Sequence, residues 1–165
     1  MKKTILLLSL LTMIFSSCGD SAGEKADEGN NKSEPVAEKP ALVKPEGQPD
    51  RVVVQHILIA FKGRIPSASR SQQEANELAD VIYQKASKGD DYDSLVKKYT
   101  DDSFPGKYAM VNFGVVSEDP DDMPREALIP SFGEVGFALE VGELGLAPFD
   151  SLSSPYGWHI IKRVE

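Results

Sequence analysis

The sequence contains two histidines, His56 and His159, and each lies inside an apolar stretch where a solvent-facing residue is not expected. A neutral imidazole donates a hydrogen bond through one ring nitrogen and accepts one through the other. Two facing imidazoles would therefore form a hydrogen-bonded chain in which each ring fixes the tautomer of its neighbour. One buried histidine is explained most simply by a bond to the backbone, but two in the same setting favour a functional pair.

Two other kinds of chemistry are open to these side chains. A zinc site would use both histidines, but no third ligand follows at a spacing typical of zinc sites. A hydrolase would pair a histidine with Asp101 or Asp102 and take its nucleophile from Ser153 or Ser154. The Gly-x-Ser-x-Gly turn that presents a hydrolytic serine does not surround those serines. Both alternatives are weaker than the histidine pair.

The histidine pair requires two strands that place both rings on one face of a sheet. Residues 51–60 are rich in β-branched side chains and apolar on both faces, which predicts a central strand. Alternation puts His56 on the face of the even-numbered residues there, and puts His159 on the face of the odd-numbered residues of a last strand at 157–164. If these two strands are neighbours in the sheet, the rings meet.

The other predicted elements surround these strands. Apolar residues at helical spacing predict helices, and β-rich segments predict further strands. The helices are expected at 70–87, 92–99 and 129–139, and the strands at 110–116 and 144–149. This order predicts an α+β domain over residues 51–165, with helices packed around a small sheet.

The overall charge excludes one class of partner. The 165 residues carry a formal net charge of -8, with a pI near 4.8. Nucleic-acid binding relies on clustered Lys and Arg that displace counterions from phosphates, so no nucleic-acid partner is expected. The single cysteine, Cys18, has no partner within the chain for a disulfide.

The N-terminus has the pattern of an export signal over residues 1–17. Lys2 and Lys3 precede an apolar run at 5–15 that is too short to cross a bilayer. The following Cys18 completes a sequence that resembles the lipobox of bacterial lipoproteins, in which the cysteine is acylated after cleavage. We expect a lipid anchor at Cys18 that places the protein at a membrane of the bacterial cell envelope. An ordinary secretory signal with an incidental cysteine is the alternative.

Residues 18–50 are expected to be a disordered tether. Their composition is dominated by Gly, Ser, Asn, Glu, Lys and Pro, so they cannot bury enough apolar area to offset the entropy of ordering. Four prolines favour an extended, partly stiff spacer. A proline-rich ligand motif is the alternative.

The chain resembles the parvulin family of peptidyl-prolyl cis/trans isomerases over nearly all of 51–165, and three segments carry the resemblance. VQHILIAF is similar to the opening strand of the family, YDSLVKKYTDD to its second helix and following loop, and residues 129–165 to its C-terminal half. The resemblance implies an α+β, FKBP-like fold with a small, mainly antiparallel four-stranded sheet and about four helices. Where many parvulins carry Gly-Gly-Asp-Leu-Gly, this chain has Met-Val-Asn-Phe-Gly at 110–114 and keeps only the final glycine.

The resemblance also implies an active site. The two facing histidines of the family match His56 and His159, and the polar position after its second helix matches Asp102, with Asp101 as a one-residue alternative. Ser154 takes the hydroxyl position near the histidines. In the substrate pocket, Leu128, Phe132 and Phe137 are expected to grip the proline ring, and Tyr156 takes the position before the glycine that opens the last strand. The family chemistry needs no cofactor and no metal.

The implied function is isomerisation of X-Pro bonds, with proline-containing segments of exported proteins as partners. The first alternative is a parvulin-like module that binds peptides or acts as a chaperone without turnover. The second is a structural lipoprotein that uses the domain as a spacer. The basic loop with Lys62, Arg64 and Arg70 is similar to that of phosphate-selective parvulins, but an ordinary solvated loop is the simpler interpretation.

Overall fold

Strand β1, Arg51–Ala60, is the central strand of a five-stranded sheet in the computed structural model, which describes residues 42–165. The other strands are β2 (Lys107–Val111), β3 (Met123–Pro124), β4 (Leu144–Ala147) and β5 (Gly157–Arg163). They lie in the order β3-β2-β1-β5-β4, and every neighbouring pair is antiparallel except β2 with β3. The predicted neighbourhood of the first and last strands is therefore correct.

The predicted α+β class and mainly antiparallel sheet are confirmed, with one strand more than expected. The two-residue β3 lies at the end of a segment whose prolines and acidic residues suggested a loop. Strand β2 begins and ends earlier than the predicted 110–116. It stops because the N–H of Asn112 donates to the carbonyl of Asp50 at 2.8 Å and the chain then turns through Gly114, which has a φ of 71°.

Within the described residues, three α-helices cover the two faces of the sheet. They are α1 (Gln72–Ser87), α2 (Tyr92–Tyr99) and α3 (Pro130–Ala138), and a short 3-10 turn at Arg125–Ala127 completes the predicted number of four. Ser71 begins α1 with a capping box, since its hydroxyl accepts from the N–H of Glu74 and its own N–H donates to the Glu74 carboxylate. Asp91 caps α2 through the N–H of Ser94.

The two faces of the sheet form separate apolar clusters. Odd-numbered residues of β1 pack with α1 and α2, and the central members of this cluster are Ile57, Ile59, Ala79, Ile82 and Ile160. Even-numbered residues of β1 pack with α3, and the central members of this second cluster are Val52, Val54, Met110, Phe137 and Ile161. Alternation within single strands thus supplies both cores.

The segment before β1 is in contact with the domain. The side-chain amide of Asn112 donates to the carbonyl of Pro49 at 2.9 Å, so the last residues of the predicted tether pack against the fold. The predicted signal peptide, Cys18 and most of the tether lie outside the described residues. Across residues 42–165, none of the helices combines the length and the apolar character needed to span a membrane.

Candidate active site

His56 and His159 meet on the α3 face of the sheet, as alternation predicts. Strand β1 pairs with β5 so that Leu58 is opposite His159, which places the two histidines on a diagonal of the ladder. Their Nδ1 atoms are 3.2 Å apart, and the rings stack at an interplanar angle of 15°. Each residue is 3 % exposed, so the pair is shielded from water.

Asp102 extends the histidine pair into a chain of three groups. Its Oδ2 lies 3.0 Å from Nε2 of His56. The residues after α2 run along β1 beyond the end of β2, since the N–H of Asp101 donates to the carbonyl of Leu58 at 2.9 Å. Asp101 itself accepts from the N–H of Ala60 and from the Arg70 guanidinium, so the geometry assigns the histidine contact to Asp102.

The chemistry of these groups fixes the direction of each hydrogen bond. An ionised carboxylate only accepts, so Nε2 of His56 donates to Asp102. The Nδ1 of a neutral His56 then accepts, and Nδ1 of His159 must donate to it. This leaves Nε2 of His159 without a proton. Among the described residues, it is the one buried side-chain polar atom that has no hydrogen-bond partner.

Burial and hydrogen bonding keep one end of this chain, His159, neutral and the other end, Asp102, negatively charged. Burial and, to a smaller extent, the neighbouring His56 lower the pKa of His159 to about 3, against the opposing effect of the Asp102 carboxylate, so His159 is neutral at physiological pH. The hydrogen bond from His56 holds the pKa of Asp102 well below its usual range, against the effect of desolvation, and bonds from the Ser103 backbone and Tyr108 act in the same direction. Asp102 is therefore a carboxylate under the same conditions.

Tyr108 on β2 is a fourth member of this network. Its hydroxyl donates to the same Oδ2 of Asp102 at 2.9 Å, and its ring stands edge-on to His56 with centroids 5.1 Å apart. Burial, followed by the adjacent carboxylate, raises the pKa of Tyr108 to about 12, so the phenol keeps its proton. Tyr108 was not identified from the sequence, because the second strand was predicted to begin two residues after it.

An apolar groove opens directly above the histidines. Its volume is about 310 Å³, near the lower end for small-ligand pockets. Leu128, Phe132 and Tyr156 line it, as the resemblance implied, and Phe132 contacts both imidazoles edge-on at 5.1 and 5.5 Å between centroids. Further apolar residues that were not predicted from the sequence also line the groove: Leu58, Ile65, Met123, Ala127 and Ile129.

The structure corrects the expected position of Phe137. This side chain is 2 % exposed and packs in the α3 core beneath the Arg125 guanidinium, away from the groove lining. Five residues advance a helix by about 500°, so Phe137 points roughly 140° away from the direction of Phe132. Both cannot face the same groove.

The structure also corrects the expected role of Ser154. The residue is fully buried in the turn between β4 and β5, and its hydroxyl donates to the carbonyl of Gly157 at 2.9 Å. Its backbone pairs with Asp150 across the same turn. Ser154 makes no hydrogen bond to either histidine in the described part of the chain, so it shapes the entry into β5 instead of joining the network.

Only weak features of the sequence point to Tyr108 and Met123, which were not predicted. Tyr108 and Met110 alternate on one face of β2, so a strand that began at Lys107 would have placed the phenol beside His56. Met123 lines the groove from a strand of only two residues, too short to show any periodicity. Within residues 42–165, no group of three or more His, Cys, Asp or Glu side chains is arranged to hold a metal ion.

Comparison with known families gives one match that covers most of the chain. Residues 41–165 match the PPIC-type PPIase domain. The sequence is 37 % identical over 113 residues to the chaperone SurA of Pseudomonas fluorescens, which covers 68 % of this chain and 22 % of that protein. It is 33 % identical over 84 residues to the foldase protein PrsA of Caldanaerobacter subterraneus, which covers 51 % of this chain and 24 % of the relative.

The matched region therefore spans less than a quarter of the length of these curated relatives. Two solved structures share the fold. The solution structure of TbPIN1 aligns with a TM-score of 0.53 at 15 % identity, over 70 % of this chain and 98 % of that one. The peptidyl-prolyl isomerase ESS1 from Candida albicans aligns with a TM-score of 0.51 at 20 % identity, over 74 % of this chain and 66 % of that one.

Proposed function

The chain belongs to the PPIC-type, or parvulin-type, family of peptidyl-prolyl isomerase domains, and from this we propose that it catalyses cis/trans isomerisation of X-Pro bonds. One observation carries the proposal: a chain of hydrogen bonds from Asp102 through His56 to His159 forms the floor of an apolar groove walled by Leu128 and Phe132. No bond is broken in this reaction. The enzyme must only lower a rotational barrier near 20 kcal/mol, which arises from resonance between the carbonyl and the proline nitrogen.

The groove supplies the first part of the mechanism. Leu128 and Phe132 grip the pyrrolidine ring and exclude water, which removes solvent stabilisation of the planar, polar ground state. The Asp102 carboxylate at the floor disfavours negative charge on the substrate carbonyl oxygen, and planar resonance requires that charge. Both effects favour the twisted amide over the planar one.

The hydrogen-bond directions supply the second part. In the tautomers inferred above, the ring protons of the two neutral imidazoles and the hydroxyl proton of Tyr108 are each donated within the network. No member has a spare proton for the substrate, so the network acts as a fixed electrostatic floor and not as a general acid. The side chains are preorganised because each one orients the next.

A protease-coupled assay on the full chain, purified in mild detergent, tests this proposal. The substrate is a chromogenic tetrapeptide with the sequence Ala-Leu-Pro-Phe, which the protease cleaves only in the trans form. We expect the slow phase, which takes tens to hundreds of seconds without enzyme, to shorten in proportion to enzyme concentration. A slow phase that matches buffer at every concentration would falsify the enzymatic proposal.

A non-catalytic peptide-binding module is the second candidate function. The name of the chaperone relative favours it. The double substitution His56→Leu and His159→Leu separates the two functions, because it leaves the apolar walls intact. An isomerase loses turnover while its peptide affinity stays within about threefold, whereas a binding module has no turnover to lose.

We further propose that the substrates are proline-containing segments of exported proteins. The support is the predicted export signal together with the chaperone and foldase relatives. A slow prolyl step delays the folding of a newly exported chain, so an isomerase in the envelope meets its substrates there. Refolding of an exported protein that contains a cis proline, followed with and without the enzyme, tests this point. An unchanged slow refolding phase would argue against it.

The proposed location is the bacterial cell envelope, with residues 1–17 removed and Cys18 acylated. The tether at 18–50 would then hold the domain at a distance from the bilayer. Each buried CH₂ of an acyl chain contributes roughly 0.8 kcal/mol to membrane binding. Replacement Cys18→Ser should move the protein from the membrane fraction to the soluble fraction. Retention of the variant in the membrane fraction would contradict the lipid anchor.

A further inference from the structure

One wall of the groove has little secondary structure to hold it. The groove wall segment, defined here as residues 123–128, supplies Met123, Ala127 and Leu128 to the lining. It consists of the two-residue β3, the 3-10 turn and Leu128, and its ladder contacts are limited to two residue pairs with β2. Other contacts must therefore fix its position.

Arg125, in the middle of this segment, is a buried cation with no directly paired carboxylate among the described residues. Burial lowers its pKa, and the charges of Glu134 and Glu126 act in the opposite direction. Arg125 is 7 % exposed, and it takes part in none of the ion pairs found among the described residues. Its Nη1 donates instead to two neutral acceptors, Oε1 of Gln48 at 2.7 Å and Oδ1 of Asn112 at 2.9 Å. Its guanidinium also lies over the rings of Phe113 and Phe137, at 4.5 and 4.9 Å from their centroids.

The partners of Arg125 come from two other parts of the chain. Asn112 follows β2, and its side-chain amide donates to the carbonyl of Pro49 at 2.9 Å. Gln48 belongs to the segment before β1, which the sequence assigns to the tether. Desolvating a guanidinium is unfavourable, so burial of Arg125 needs a compensating role. We interpret it as a positioning residue, because the two N–H groups of its Nη1 hold Gln48 and Asn112 in defined directions.

We propose that Arg125, Gln48 and Asn112 form a latch that positions the groove wall segment, which makes Arg125 a positioning residue for the site and makes the end of the tether part of its support. This inference rests on the proposed function, because it takes the groove to be the binding site for proline peptides. A second contact holds the chain just before this segment, because Asp122 accepts a hydrogen bond from Nε of Arg51 at 3.0 Å. Arg51 at the start of β1 thus holds the residue before the segment, and Gln48, three residues before β1, holds its middle.

Three variants of the full chain test the latch: Gln48→Ala, Arg125→Met and the double substitution. The control is Gln84→Ala, the same change at an exposed site on α1, across the sheet. One readout is hydrogen exchange of the Leu128 amide, which donates to the Arg125 carbonyl at 3.2 Å. The other is the Kd of the Ala-Leu-Pro-Phe peptide, measured by NMR titration.

We expect Gln48→Ala to speed exchange at Leu128 by about fivefold and to raise Kd by about threefold, because a local opening reaction becomes easier. Turnover at saturating peptide should stay within about twofold, since a looser wall weakens ground-state and transition-state binding alike. The double variant should be no worse than Arg125→Met, because both changes break the same contact.

The latch is wrong if Gln48→Ala leaves exchange and Kd unchanged, or if Gln84→Ala has the same effect. It is also wrong if the effects of Gln48→Ala and Arg125→Met add. Should Arg125→Met fail to fold, Gln48→Ala and its control decide the question alone. Exchange at Leu128 does not depend on turnover, so a protein without isomerase activity would overturn the proposed function and still leave the latch open to proof or disproof.

Discussion

The two faces of the sheet draw alternate residues from the same strands, and they differ in what they hold. On the α1 and α2 face, Ile57 and Ile59 pack into a cluster that is apolar throughout its centre. On the α3 face, Val54 belongs to an apolar cluster, but the next even-numbered position is His56, and beyond it the surface opens into the groove. One face is a closed core, and the other changes from core to groove within one strand.

This difference separates stability from function in space. Each methylene buried in a closed apolar cluster stabilises the fold. A groove must leave apolar area uncovered and hold polar groups away from water, and both reduce stability. We therefore expect the α1 and α2 face to contribute more to the free energy of unfolding than the α3 face. If the division is real, substitutions on the two faces should affect different measurements.

The largest effect should come from the closed face. Ile82→Ala removes a fully buried side chain of α1 and should lower the free energy of unfolding by about 3 kcal/mol through lost burial and a residual cavity. Urea denaturation measures it. Val81→Ala, at a 49 % exposed neighbour, should change stability by less than about 0.5 kcal/mol. Loss of isomerase activity per folded molecule in Ile82→Ala would contradict the separation of the two faces.

The next effect concerns pH and the α3 face. Since the pKa of His159 is lowered to about 3, the unfolded chain binds a proton there between about pH 6.5 and 3 that the folded chain does not. Stability should therefore fall as the pH falls through this window, by at most about 1.4 kcal/mol per unit and about 2 kcal/mol by pH 5. Denaturation of wild type and His159→Leu at pH 7 and pH 5 measures the difference. An equal drop in both proteins would exclude His159 as its source.

A smaller effect should follow from trimming the groove. Leu128→Ala removes apolar contact with the proline ring, and we expect kcat/KM to fall about tenfold, equivalent to about 1.4 kcal/mol. Because Leu128 is only partly buried, the free energy of unfolding should change by less than about 1 kcal/mol. Leu152→Ala, at an 87 % exposed residue outside the groove lining, is the control. A change in stability without a change in kcat/KM would assign Leu128 to the core.

The smallest effect should come from Tyr108→Phe, which removes one hydrogen-bond donor from Asp102 and keeps the ring. A net hydrogen bond to a charged group contributes about 1.5 kcal/mol or more, and the bond to Asp102, whose side chain is 33 % exposed, should lie below that, so kcat/KM should fall about fivefold. The pKa of Asp102 should rise, because the carboxylate loses a stabilising donor, and NMR titration of the Asp102 carboxyl group measures the shift. Tyr83→Phe on α1 is the matched control. An unchanged pKa of Asp102 would remove Tyr108 from the network.

The histidine pair could be predicted from the sequence because the information needed for it is local. Two β-rich strands with period-two alternation specify which face each ring occupies, and one assumption about strand neighbours brings them together. The helices followed from apolar spacing for the same reason, and α2 begins and ends where it was predicted. Leu128, Phe132 and Tyr156 were predicted from the family resemblance, because the family motifs follow one another at similar distances along the chain.

The features that could not be predicted depend on contacts between distant segments. Tyr108 reaches Asp102 only because β2 starts at Lys107, and the latch joins Gln48 to Arg125 across 77 positions of sequence. Phe137 and Ser154 were assigned to the site by their order in the chain, but helix rotation and turn packing point them elsewhere. Periodicity fixes the face of a side chain within its own element, whereas its partners depend on how the elements pack against each other, and no single segment encodes that packing.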